Sequence, residues 1–497
     1  MTRTLRTLPR RRSTSLSDPR SAPRARTCFA LAAALLLIGA ALPAAAQAHG
    51  LVGRTDLPIP QWLFAWVAAV VLIVSFAALS LLWPQPRLER AVARRRFAVP
   101  LALRVLAGAL GVAAFAAVVY AGLAGTEVAT ANLAPTAIYV VVWVGVPVLS
   151  VFLGDLWRAV DPWFAVARAG RWALRAVRGA DAPPLRAPLT YPERLGRWPA
   201  AVVVVAFGWL ELVSVDRDVP STLAVLALVY ALVQLVGMGL FGIERWRSRA
   251  DGFAVLFELF SRIAPLELRD GQVATRPLLS GLPKLDAAVP GTVALLAVMI
   301  GTTTFDGASN GELWTSIADP LQDLFGDLGF GPDLTAQLTG TIGLLGAIVL
   351  VGLFYRMGIA GMRTVGGDHP TGELAQKFAH TLVPIAFGYL LAHYFSLLVF
   401  QGQSLAYLIS DPLGDGSDLL GTANATVDYT LLSASSIWYV QVAALVAGHV
   451  AGLMLAHDRA LTLYRDAREA VRSQYWMLVV MVGFTCLGLW LLSAVGT

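Results

Sequence analysis

Glu211, Asp306, His393 and Gln441 each fall inside or at the edge of a long apolar run. An ionisable group in such a setting is expensive, and it is kept where it pairs, relays protons or meets a substrate. Two carboxylates and an imidazole can hold a divalent metal and activate water, because hydrolytic metal sites are built from His and carboxylate ligands. A single His in a helix bundle is more commonly a hydrogen-bonded packing residue, and a carboxylate near a boundary is often simply solvated. What singles these four out is a comparable depth on four separate segments. A second set, Arg104, His380, His449 and His457, lies towards the opposite ends of its segments. There Arg104 is expected to snorkel, and His457, beside Asp458 and Arg459, to be structural.

Three motifs have further chemical content. His49 follows an Ala-Gln-Ala end; freed as an N-terminus, its amine and ring nitrogen would suit copper, although such a site needs a second His. Gly307-Ala308-Ser309-Asn310-Gly311 fits G-x-S-x-G. That motif works on a strained strand-to-helix turn, whereas Ser309 follows an apolar helix, and 45 glycines make the match cheap. Asp411, Asp415 and Asp418 crowd one segment densely enough for a hard divalent cation, but without EF-hand spacing. Asp and Gly also suit ordinary turns. The catalytic candidates are therefore His393, Asp306 and Glu211, with Ser309 behind them. The metal candidates are His393, Asp306, Asp411 and His49.

The elements that position these residues follow from composition. Of 497 residues 57% are apolar and only 14% charged, against about 25% charged in soluble domains. The solvent of this chain is lipid. Residues 1–48 hold eight Arg and one acid, then the apolar run 28–48 ending in Ala46-Gln47-Ala48, which reads as a signal peptide. The remainder is nearly neutral, so the basic charge gives no argument for nucleic acid. Cys28 lies in the leader, which leaves Cys486 with no partner for a disulfide.

About 20 apolar residues cross a bilayer as a helix. The fold class is thus all-α, a polytopic bundle of about ten spans near 61–83, 99–122, 136–153, 198–216, 221–243, 287–306, 336–355, 378–400, 434–456 and 475–495. Loops 84–98, 154–197, 244–286, 356–377 and 457–474 hold 5, 8, 7, 3 and 4 Lys or Arg, while the opposite loops and the mature N-terminal tail hold two, Arg54 and Arg217. The positive-inside rule makes the first group cytoplasmic and puts both mature termini outside the plasma membrane. Pro147 and Pro384 are expected to kink their spans. In the ninth span Ala444, Gly448, Gly452 and Ala456 repeat at i, i+4 and invite a close neighbour. Asp161-Pro162 opens a helix over 161–178 with Arg168, Arg171, Arg175 and Arg178 on one stripe and Trp163, Val166, Leu174 and Val177 opposite. It would lie on the inner leaflet against anionic lipid, or pack on the base of the bundle. Residues 252–264 are too short to span and are expected to be interfacial or re-entrant.

Several runs carry a resemblance: AHGLVGRTDLPIPQWLF after the leader, GDLWRAVDPW (154–163), TTTFDG (302–307), AHYFSLLVFQGQSLAYLISDPLGDG (392–416) and WYVQVAALVAGHVAGLMLAHDRAL (438–461). The chain resembles actinobacterial multi-pass membrane proteins that carry the name fenitrothion hydrolase, over most of residues 49–497. The resemblance implies cleavage of an organophosphorus triester, a small apolar substrate, at the membrane; no catalytic role carries over residue by residue. Kinked helices with buried Glu and His suit a transporter, permease or channel as well, and His49 suits copper handling.

Overall fold

The computed structural model describes residues 61–494, apart from 180–182, 184, 270, 287 and 366–368. The expected leader and His49 lie outside the described residues. In chain order the helices are α1 (Gln61–Leu82), α2 (Leu101–Ala124), α3 (Leu133–Leu153), α4 (Leu156–Val160), α5 (Pro162–Arg178), α6 (Trp198–Leu212), α7 (Pro220–Phe241), α8 (Ile243–Arg249), α9 (Gly252–Ser261), α10 (Thr292–Ala308), α11 (Glu312–Asp327), α12 (Pro332–Met362), α13 (Thr371–Phe378), α14 (Leu382–Phe400), α15 (Ala434–Leu463), α16 (Ala467–Ser473) and α17 (Tyr475–Ala494). Helix is what an apolar run must form in lipid, since it satisfies each backbone N–H and C=O within its own segment. The stretches of α1, α2, α3, α7, α12, α14, α15 and α17 are long and apolar enough to cross a membrane. The chain is an integral multi-pass membrane protein.

Two of the ten expected spans are shorter than the sequence suggests. α6 runs for 15 residues and α10 for 17. Gly291, at φ +82°, delays the start of α10 to Thr292, and α10 then bends by 89° into α11. Protein walls α10 on its flanks: it packs on α6, α12, α14 and α17, and Leu295 to Phe305 are all buried. The hydroxyls of Thr302, Thr303 and Thr304 turn back onto carbonyls one turn earlier, so the threonine run is satisfied inside the helix. α9 is enclosed as well, with Leu256, Phe257, Leu259 and Phe260 wholly buried against α3 and α6, rather than lying at a surface.

The expected proline kinks resolve differently. Pro384 lies in the first turn of α14, where a missing N–H costs nothing. Pro147 follows a ten-residue π-helical stretch, Thr136–Gly145, inside α3. There the ladder has already widened, and Val146 N donates to Val141 O. π-Helical turns are rare and concentrate at functional sites.

The small residues of α15 do seat a neighbour. A Cβ on Gly448 would lie 2.6 Å from Pro384 O and 3.2 Å from Gly388 Cα, both on α14. Gly448→Val is expected to cost at least about 1–3 kcal/mol by overpacking, read as a lower melting temperature and a smaller monodisperse fraction in detergent.

A small sheet caps the arginine-rich end. Strands β1 (Arg94–Ala98), β2 (Leu266–Arg269) and β3 (Gln272–Thr275) pair antiparallel in the order β1-β3-β2. Gly271, at φ +73°, makes the turn between β2 and β3, and the Arg104 guanidinium lies against it. Nearby, Asp458 is fully buried and accepts from Trp83 Nε1, Arg87 N and Glu89 N at 2.9, 2.6 and 2.7 Å. His457 bonds Trp83 O and Gln474, the structural role its position suggested. These bonds lock the end of α1 to α15.

Candidate functional site

α10 brings Asp306 to within one turn of its acidic end, and α14 runs past it. His393 Nε2 meets Asp306 Oδ2 at 2.6 Å, and the two side chains keep 17% and 21% of their surface exposed. The pair is therefore not fully sealed in. Glu211, penultimate in α6, lies within electrostatic range of both Asp306 and His393. α6 approaches α10 closely enough because residue 208 is Gly: a Cβ there would stand 2.7 Å from Thr302 Cγ2.

Two further residues belong to this site. Tyr394 packs edge-on to His393, with ring centroids 4.8 Å apart. Its hydroxyl is within side-chain reach of Glu211 and of Trp143, which projects from the π-helical stretch. Glu211 Oε2, Tyr394 Oη and Trp143 Nε1 are all buried, and the Tyr394 hydroxyl is the polar neighbour of both others at a geometry short of a good hydrogen bond. A buried polar group left imperfectly paired costs about 1–3 kcal/mol. The three form a buried polar cluster beside the ion pair. Composition offered one signal for Trp143 and Tyr394: each is an aromatic with a polar tip in an otherwise apolar run.

The other sequence candidates fall elsewhere. No hydrogen bond joins Gln441 to the site among the described residues. Ser309 Oγ donates to Asp306 O at 2.8 Å, so the hydroxyl closes the end of α10 and is not presented to His393. Asp411 accepts from the N–H groups of Asp415 and Gly416 in its own loop. Hydroxyl and backbone donors likewise hold Asp415, Asp418 and Asp428 below the usual carboxylate range. These acids build turns.

Metal chemistry can be tested on the donors present. A catalytic zinc site takes three protein ligands. Among the described residues no group of three or more His, Cys, Asp or Glu gathers in a metal-binding arrangement. Asp306 and His393 offer two, and Asp411 does not join them, so the described donors do not fit a resident metal and no step is derived through one. His380 and His449 are buried at the other end of the bundle, His449 Nδ1 against Leu445 O at 2.8 Å.

No protein-family model, curated protein or solved structure matches the chain. The functional reading therefore rests on the site itself.

Proposed function

We propose that the protein is a proton-translocating permease of the plasma membrane, with Glu211, Asp306, His393 and Tyr394 as its proton-handling centre. The observation that carries this reading is the convergence of Glu211, Tyr394 and Trp143, buried polar neighbours of one another, next to the Asp306–His393 pair. Chains of Asp, Glu and His inside a membrane bundle are how pumps and transporters relay protons. The arginine distribution supports a cytoplasmic placement of the sheet-capped end. The proton centre then opens outward, both ends of the mature chain lie outside, and residues 1–48 act as a cleaved signal peptide.

The test uses the purified chain in liposomes with a trapped pH-sensitive dye. An external acid pulse is expected to acidify wild-type vesicles faster than empty ones, and Glu211→Gln to remove that difference. Equal rates for the variant and wild type would refute the role of Glu211.

A second reading keeps one specific observation. An imidazole oriented by a carboxylate is a general-base arrangement, and His393 Nδ1 makes no hydrogen bond among the described residues. The named resemblance would then be met by water attack on an organophosphorus triester, with the Tyr394 hydroxyl and the Trp143 indole N–H holding the phosphoryl oxygen or sulfur. Release of nitrophenol from fenitrothion by the same vesicles would favour it.

The surface of α5 suggests a lipid partner at the cytoplasmic face. Only its first turn, Pro162 to Phe164, is buried, while Trp172, Leu174 and Val177 are exposed beside the arginine stripe. Arg168 folds back over the Phe164 ring at 5.3 Å. Each Arg near an anionic surface contributes about 1 kcal/mol. Replacing Arg168, Arg171, Arg175 and Arg178 together with Gln is expected to abolish stabilisation by phosphatidylglycerol over phosphatidylcholine in thermal melts.

A further inference from the structure

A second buried ionic centre lies at the arginine-rich end. Asp155, Asp161 and Asp251 cap α4, α7's neighbour α5, and α9, each accepting a backbone N–H from the helix it opens. Two of them meet one guanidinium, and Asp251 lies within electrostatic range of it. Arg247 of α8 reaches Asp155 at 3.2 Å and Asp161 at 3.5 Å, and none of these three side chains is more than 8% exposed. Asp251 is wholly buried. The neighbouring charges are already matched: Glu258 with Arg262 on α9 at 2.7 Å, and Arg158 with Glu244 at 3.0 Å. Among the described residues, three buried carboxylates therefore crowd the Arg247 guanidinium, with Arg262 the next cation near Asp155.

Hydrogen-bond supply decides which carboxylate is neutral. Asp155 takes both contacts from the Arg247 terminal nitrogen and one from Arg158 N. Asp251 takes three donors: Trp163 Nε1 at 2.7 Å, Tyr230 Oη of α7 at 2.8 Å and Ala254 N at 2.9 Å. Asp161 takes one, from Phe164 N. Its Oδ2 and the Arg247 Nε that faces it are both buried without a hydrogen bond. Carboxylates that accept several donors stay ionised, and one starved of donors in a dry site beside other carboxylates does not. Burial pushes both Asp161 and Asp251 above the usual carboxylate range. Asp161 is pushed well above it, the charge of Asp251 adding to burial and Arg247 opposing them. The three donors on Asp251 pull that group back down.

An aromatic wall joins this centre to the first. Trp143, Phe207, Phe253 and Tyr230 follow one another at centroid separations of 4.7, 5.1 and 5.4 Å. Trp143 borders Tyr394 and Glu211, and Tyr230 bonds Asp251.

We propose that Asp161 is a second proton-binding site, at the cytoplasmic end of the same pathway, separated from the Glu211 centre by this wall. The pathway clause rests on the permease reading; proton occupancy at Asp161 does not. The variant is Asp161→Asn, because Asn caps a helix about as well as Asp and mimics the protonated acid. Infrared spectra of the full chain in liposomes are expected to show protonated-carboxyl absorption at neutral pH from which Asp161→Asn removes a component that Glu211→Gln leaves in place. Asp161→Asn is expected to melt no lower than wild type, whereas Asp155→Asn, which breaks an ionised pair, melts lower. Proton flux reported by the trapped dye is expected to fall at least about tenfold in Asp161→Asn. Absorption unchanged by Asp161→Asn, or a melting loss equal to that of Asp155→Asn, overturns the proton site. A lost component with wild-type flux overturns its place in the pathway. If wild-type protein carries no flux, the permease reading fails by itself, and that component still decides Asp161.

Discussion

His393→Ala is expected to lower proton flux by about 100-fold or more, the range that removal of a positioned acid–base group commonly produces. The substitution removes the ring that meets Asp306 at 2.6 Å and the face on which Tyr394 packs. It leaves Asp306 partly exposed at the acidic end, where water can reach it, so the fold is expected to survive with a similar melting temperature. Flux is read from the trapped dye, and nitrophenol release is read in parallel. Loss of flux alone supports the permease reading. Loss of nitrophenol release alone moves the assignment to the hydrolase. Wild-type values in both would remove His393 from either mechanism.

The largest expected effect on stability is at Asp458. Its carboxylate is wholly buried and is the acceptor for an indole and two backbone N–H groups that tie α1 to α15. Asp458→Ala strands three donors at once, and an unsatisfied buried donor costs about 1–3 kcal/mol. The expected loss is therefore about 3–5 kcal/mol, in line with breaking a buried charged network. Asp458→Asn is expected to fall between the two, because one amide face presents donors to donors. Thermal unfolding in detergent, followed by tryptophan emission, checks both. An Asp458→Ala protein that melts with wild type would show that this lock does not hold the two helices together.

Much of the bundle was legible because hydropathy reports the solvent directly. The stretches of α1, α2, α3, α7, α12, α14, α15 and α17 are apolar for reasons that hold residue by residue. Helix length was less legible at α6 and α10, because an apolar run is written the same way whether lipid or protein surrounds it. α10 is walled on several sides by other helices. The sequence reads α9 as interfacial or re-entrant; that its phenylalanines fill the interior could not be read from composition. The sheet was invisible to hydropathy; its one local signal is Gly271 between two short strands.

Of the site, the sequence supplied the residue types and their depth. It could not supply adjacency. Depth alone placed Gln441 with Glu211, Asp306 and His393, and only the packing of α6 on α10 and of α10 on α14 sorts neighbours from residues at the same height. The widened π-helical turn that carries Trp143 has no sequence signature except the proline after it. The three caps around Arg247 read locally as helix starts, and their convergence is a property of tertiary structure alone.

The measurement that bears most directly on the central claim is proton entry into dye-loaded liposomes containing the wild-type chain, with the membrane potential clamped and empty vesicles of the same lipid alongside. The account predicts acidification well above the empty-vesicle rate, abolished by Glu211→Gln. Wild-type vesicles that acidify no faster than empty ones would contradict it.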